Sequence, residues 1–207
     1  MTRISAVLLA AILLSSCGKS DSSGSGGSPS AGGGGTGGAA TTGGATPQEA
    51  FDKLKATGEK KDWPAFYDLI HPEDQDMAVF MFSFIGAMAG MGDEAKKAEF
   101  EAIGKKHGVP DEDKAEKLEM NDPEKMKAQL KVLFKDVKDK KALFVEMAAW
   151  VDANSKPGDG FNLKPDATLK SVKEEGDTAR CMTLSEGKER PMVMKKHGGR
   201  WYMTFDR

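Results

Sequence analysis

Cysteine, histidine and net charge are all scarce in this chain of 207 residues: two Cys, three His and a formal charge of −2 at neutral pH. Two cysteines are too few for a disulfide framework, so a core has to hold by packing alone. The three histidines, His71, His107 and His197, have no metal-ligand spacing. Basic and acidic residues are interspersed, which leaves no basic footprint for nucleic acid and no acidic block for a cationic partner. No apolar run reaches the roughly 20 residues that a helix needs to cross a bilayer. A phosphate-binding Gly-rich loop, a zinc motif and a Gly-x-Ser-x-Gly elbow are missing. The Gly tract at 32–38 has no Gly-Lys-Ser/Thr after it. These absences point to no cofactor and no metal.

What is present begins at the N-terminus. Arg3 and the free amino group precede an apolar stretch, Ala6 to Leu14, that is too short for an anchor helix and has the length of an export signal. Leu14-Ser15-Ser16-Cys17 follows, and small residues leading directly into a cysteine resemble the lipobox of bacterial lipoproteins. The resemblance implies cleavage before Cys17, a diacylglycerol thioether on its sulfur and a fatty amide on its new amino terminus. Each buried CH₂ contributes about 0.8 kcal/mol, and two or more chains make a stable anchor. The partner so implied is a bacterial cell membrane. Gly18 stands where an Asp often directs inner-membrane retention, which favours the outer membrane, facing the periplasm. With Cys17 taken by lipid, Cys181 is left alone in a strand-like run, as a small buried apolar residue.

Three regions follow: an export signal at 1–16, a lipidated Cys and Gly/Ser-rich tether at 17–46, and one globular domain at 47–207. The tether has no aliphatic branched or aromatic residue, so it cannot bury enough surface to offset its ordering entropy. Its root-mean-square reach is about 30 Å.

The domain reads as α+β, with about five helices over 47–154 and then four antiparallel strands over 167–206. Thr46-Pro47-Gln48-Glu49 is a capping box that opens a helix stopped at Gly58. A second helix runs from Asp62 to about Ile70, ended by His71-Pro72. Pro72 to Met91 reads as a central helix with Met77, Phe80, Met81, Phe84, Ile85, Met88 and Met91 on a broad apolar side. Only Ser83 is polar between Met77 and Met91, so burial nearly all round is expected, the alternative being an exposed face that meets a partner. Gly86, Ala87 and Gly90 let another element come close. Asp93–Lys106, Asp122 to about Lys138, and Lys140–Asn154 follow as helices, with Asp111–Met120 as a solvated charged stretch.

After Pro165 the apolar period changes from 3.6 to 2. Strands are expected at Thr168–Lys173, Thr178–Leu184, Arg190–Lys196 and Arg200–Phe205, with Leu169, Val172, Ala179, Cys181, Met192, Met194, Trp201, Met203 and Phe205 facing the helices. Gly198-Gly199 is a hairpin signal. Pro191 cannot donate to a ladder, which places it at an edge or a strand start.

Helices and then a meander ending in Gly-Gly-Arg-Trp-Tyr resemble the NTF2-like (cystatin-like α+β cone) lipoproteins of bacteria, over Thr46–Ile70 and about Ala167–Phe205. The resemblance implies an apolar mouth between helices and sheet that takes a small apolar ligand. In enzymes of that group an Asp, His or Tyr projects into the mouth, where burial moves its pKa. The matching candidates are Tyr67, Asp68 and His71, with Tyr67 and His71 four apart on one face if the helix extends that far. The competing reading of His71 is a cap at a helix end. Paired methionines (Met77/Met81, Met88/Met91, Met192/Met194) have the softness that Cu(I) favours, but they lie inside apolar stripes as core residues do. The residues therefore favour a tethered module with a non-enzymatic role, binding an envelope protein or polymer or serving structurally, the alternative being an NTF2-like small-ligand carrier or an enzyme with an apolar pocket.

Overall fold

Six helices and then four strands make up the described part of the chain, residues 42–110, 118–119, 121–155 and 163–206 of a computed structural model. Cys17, the export signal and most of the tether lie outside the described residues, as does most of Asp111–Met120. Ala39–Arg207 forms one unit by its contacts. The helices are α1 (Pro47–Lys60), α2 (Trp63–Asp68), α3 (Gln75–Ala89), α4 (Glu94–His107), α5 (Pro123–Leu133) and α6 (Lys140–Asn154), with a 3₁₀ turn at Pro72–Asp74 before α3. The strands β1 (Thr168–Glu175), β2 (Thr178–Ser185), β3 (Lys188–His197) and β4 (Arg200–Met203) form one antiparallel meander in chain order.

Local chemistry sets the helix starts. The Thr46 hydroxyl accepts from the Glu49 N–H at 3.1 Å, and the Glu49 carboxylate reaches back to the Ala45 N–H at 2.8 Å. Asp62, Asp93, Asp122 and Asp139 cap their helices in the same way. The helix ends depart from expectation where tertiary packing takes over. α1 runs through Gly58 to Lys60, and Lys61 takes the left-handed conformation that closes it. α5 stops at Leu133 rather than near Lys138, and a hydrogen-bonded turn carries the buried Phe134 and Val137 beyond it.

The helical core centres on Phe144 of α6. Phe82 meets its ring edge-on at 4.7 Å, Tyr67 lies at 5.1 Å, and Phe66 stacks at 6.3 Å. Each such ring, fully buried, contributes about 1.5 to 3 kcal/mol of transfer free energy. A second cluster fills the space under the sheet: Phe51 of α1 packs with Trp201, Met194, Ala179 and Cys181. The register Ala179↔Met194↔Met203 and Cys181↔Met192 puts the expected residues on one inner face. Val172 is the correction. It is exposed, although it pairs with the buried Cys181, just beyond a register shift between Leu169 and Val172. Pro191 sits opposite Met182 inside β3, where β4 has already ended, so its missing N–H faces no strand partner. Gly198 and Gly199 both have positive φ, as the two-residue turn requires.

The free edge of β4 is covered by two segments from the N-terminal half. Gly44 exchanges both backbone hydrogen bonds with Trp201, at 3.0 and 2.8 Å. Two residues on, the Met203 N–H donates to Leu69 C=O at 3.0 Å and the His71 N–H donates to Met203 C=O at 2.8 Å. Two expectations change as a result. Thr42–Thr46 belongs to the folded body instead of the tether, and α2 ends at Asp68 because Leu69–His71 straightens to pair with β4. A Cβ at Gly44 would lie 2.2 Å from the Ala50 nitrogen, a backbone atom that cannot move aside. Gly44→Ala should therefore lower the urea-unfolding free energy by about 1 to 3 kcal/mol.

Candidate functional site

α3 has more apolar residues than one core face can hold. Its buried row is Ala78, Val79, Phe82 and Gly86, which packs toward α6, so the residues on the opposite side are left in solvent. Phe84 is 55% exposed, Met88 40% and Met91 68%, at spacings of four and three along one face. Burial nearly all round, expected from the sequence, is thus corrected. The helix sits at one side of the helical layer and has neighbours over only part of its circumference.

Beside this stripe a cleft of about 530 Å³ opens between α3 and α4. Its origin is geometric. Near their connecting turn the two helices nearly touch, since a Cβ on Gly90 would come within 3.2 Å of the Lys97 Cα. One turn further, the Phe100 ring occupies the space that a side chain at Gly86 would need, a Cβ there lying 2.0 Å from the ring. Beyond that point the helices diverge over α6 and the end of α5. Phe80, Phe84 and Ala87 form the α3 wall, with Met147 and Leu133 lining the cleft from α6 and α5. On α4, Phe100 and Gly104 line it together with the parallel row Lys97, Glu101 and Lys105. The Ser83 hydroxyl bonds to its own helix at Val79 C=O and to the Met147 sulfur, so it is already engaged. The small residues noted in the sequence marked this close approach. Phe100, Lys97 and Lys105 carried no signal of their own in a helix that reads as a charged surface.

The residues nominated for catalysis do not converge. Tyr67 is buried against Phe144, and burial, with the Asp76, Asp139 and Asp68 charges, pushes its hydroxyl well above the ordinary tyrosine value. Asp68 accepts from Lys141 at 2.6 Å across to α6. His71 lies beyond the end of α2, where its Nδ1 accepts weakly from the Glu73 N–H at 3.4 Å. Its ring is edge-on to His197 at 5.7 Å and to Tyr202 at 6.3 Å, next to the strap at Thr42 that hydrogen-bonds the Tyr202 hydroxyl. Tyr67 and His71 therefore share no helix face. Among the described residues no group of three His, Cys, Asp or Glu is arranged to hold a metal. Cys181 is buried, and burial raises its thiol pKa, the condition of an inert packing residue.

A charged cluster that sequence reasoning missed joins three distant segments. Lys127 of α5 is paired with Asp74 at 2.8 Å and with Asp206 at 2.5 Å, and Asp206 also takes Lys195 of β3 at 2.5 Å. Asp74 is 1% exposed and its second oxygen accepts from the Phe205 N–H at 3.3 Å. No local pattern announces partners that lie 79 residues apart.

No protein-family model matches the chain, and no curated protein or solved structure shows significant similarity to it. Among the described residues no helix is long and apolar enough to cross a membrane.

Two titrations follow from these sites. Burial opposes ionisation of Asp206, but hydrogen bonds from Lys127 and Lys195 outweigh it and hold its carboxyl below the usual range. That contribution to stability is present above about pH 4 and is lost as pH falls through the folded-state value. Lys127→Met leaves Asp74 buried without its cation and should cost about 3 kcal/mol or more at pH 7, read by urea unfolding. For His71, burial lowers the pKa below the ordinary histidine value despite the nearby Asp74 and Glu73 carboxylates. The neutral ring is thus favoured by the fold, and its contribution is complete above about pH 6.5 and declines below it. His71→Asn keeps a capping acceptor and should flatten the loss of stability between pH 7 and 5. An unchanged slope would show that His71 titrates alike in both states.

Proposed function

We propose that this chain is a membrane-tethered bacterial lipoprotein, held at the outer membrane and facing the periplasm through acylated Cys17, whose body serves as a binding module instead of an enzyme. The observation that carries the binding role is the exposed apolar face of α3 and the cleft beside it. Exposing Phe84 and Met88 on one helix face, with Met91 in the turn just beyond it, costs solubility, and such patches commonly mark interaction sites. The Tyr67, Asp68 and His71 groups are engaged in a core, an ion pair and a capping contact, which supports binding over catalysis. The tethering role is supported by Leu14-Ser15-Ser16-Cys17 and by the Gly/Ser-rich run after it.

The tethering is tested in the producing cell. Metabolic labelling with a clickable palmitate should mark the wild-type protein, and Cys17→Ser should abolish the label and move the protein out of the membrane fraction. Unlabelled wild-type protein would end the lipoprotein reading.

A further inference from the structure

The cleft between α3 and α4 combines two chemistries. Its interior, from Phe80 and Phe84 to Met147 and Leu133, offers aromatic and thioether surface with its one hydroxyl already bonded. On its α4 side lies a charged row, Lys97, Glu101 and Lys105, at successive spacings of four along the helix. Lys97 and Glu101 face each other at 3.6 Å and largely neutralise one another. Lys105 has no ion pair among the described residues, whereas its neighbour Lys106 is taken by Glu146 at 2.5 Å. Among the described residues the row therefore presents one cation without an ion pair beside an apolar cleft. A volume of about 530 Å³ falls within the range of small-molecule sites.

We infer that this cleft binds a single-chain amphiphile with an anionic head, namely a long-chain fatty acid, its chain lying along Phe80, Phe84 and Met147 and its carboxylate meeting Lys105. The inference rests on the reading of the α3 face as a binding surface and adds the ligand class. A neutral apolar ligand would leave the Lys105 charge unused. A polar ligand would desolvate against aromatic walls with no hydrogen-bonding groups left to receive it. The occupancy argument is one of charge complementarity on α4 together with an apolar interior, and it commits to a free fatty acid, not to a bilayer surface.

The test uses the chain from position 17 with Cys17→Ser, purified without detergent, so that no attached acyl group competes. A fluorescent fatty acid, dansylaminoundecanoic acid, should bind saturably with micromolar affinity and be displaced by oleate. Monoolein, with the same chain and a neutral head, should displace it about fivefold less well, the upper size of an exposed ion pair. Ala87→Trp, at an exposed wall position, should abolish binding while leaving the urea midpoint unchanged. Lys105→Glu should weaken oleate about fivefold or more and leave monoolein unaffected. No saturable binding below about 100 µM, or binding that Ala87→Trp leaves intact, would overturn the site. Equal displacement by oleate and monoolein would overturn the ligand class. These outcomes are independent of palmitate labelling at Cys17, so failure of the ligand inference and failure of the tethering are told apart.

Discussion

Closure of the β4 edge is the constraint on which the rest of the arrangement depends. β4 has only four residues, and its outer side would otherwise present unpaired backbone groups to solvent or to another chain. Gly44 takes the Trp201 pair and Leu69–His71 takes Met203, two residues further along. One of these segments comes immediately before α1 and the other immediately after α2. Fixing both ends to adjacent positions on one strand leaves the intervening α1–α2 unit close to the sheet. That is how Phe51 comes to lie on Trp201 and Met194. With α2 so placed, Phe66 and Tyr67 face Phe144, and α6 becomes the surface on which α3 and α4 settle.

A second set of long-range ties works through charge. Lys127 holds the 3₁₀ turn before α3 and the C-terminal residues after β4 to α5, with Lys195 adding β3. Each carboxylate has a cation and Asp74 also receives a backbone N–H, which is the condition under which buried charge is tolerated. The two sets lie on the same short part of the chain: residues 69–76 pair with β4 through the backbone and with α5 and α6 through Asp74 and Asp76. The start of α3 is therefore fixed, while toward its far end one side packs on α4 at Gly86 and Gly90 and the other leaves Phe84 and Met88 exposed, with Met91 in the turn beyond. This difference along one helix is what leaves an apolar surface available.

Much of the fold was legible because its signals are local. Aspartate and threonine caps mark helix starts, and they hold at Thr46, Asp62, Asp93, Asp122 and Asp139. Alternating apolar residues and glycine turns mark the meander, and the register confirms the inner face from Ala179 to Met203. Residues 42–46 have the composition of the tether, yet Gly44 is fixed by Trp201, a partner distant in sequence, while α1 passes Gly58 to close at Lys61 and α5 ends in a turn before Lys138. α3 shows the same limit more sharply: from Met77 to its end only Ser83 is polar, too little contrast to say which face is inside.

The sequence by itself determined the class of fold and the order of the elements, since both follow from short-range pattern and composition. The tertiary structure alone decided which side of α3 is left uncovered, that α3 and α4 diverge beyond Gly86, and that Lys97 and Lys105 border the gap. It also decided that Tyr67, Asp68 and His71 part company. Those outcomes depend on how helices rest on α6 and how two backbone segments close β4. Contacts between residues far apart in the chain leave no periodicity behind them, so only the assembled molecule records them.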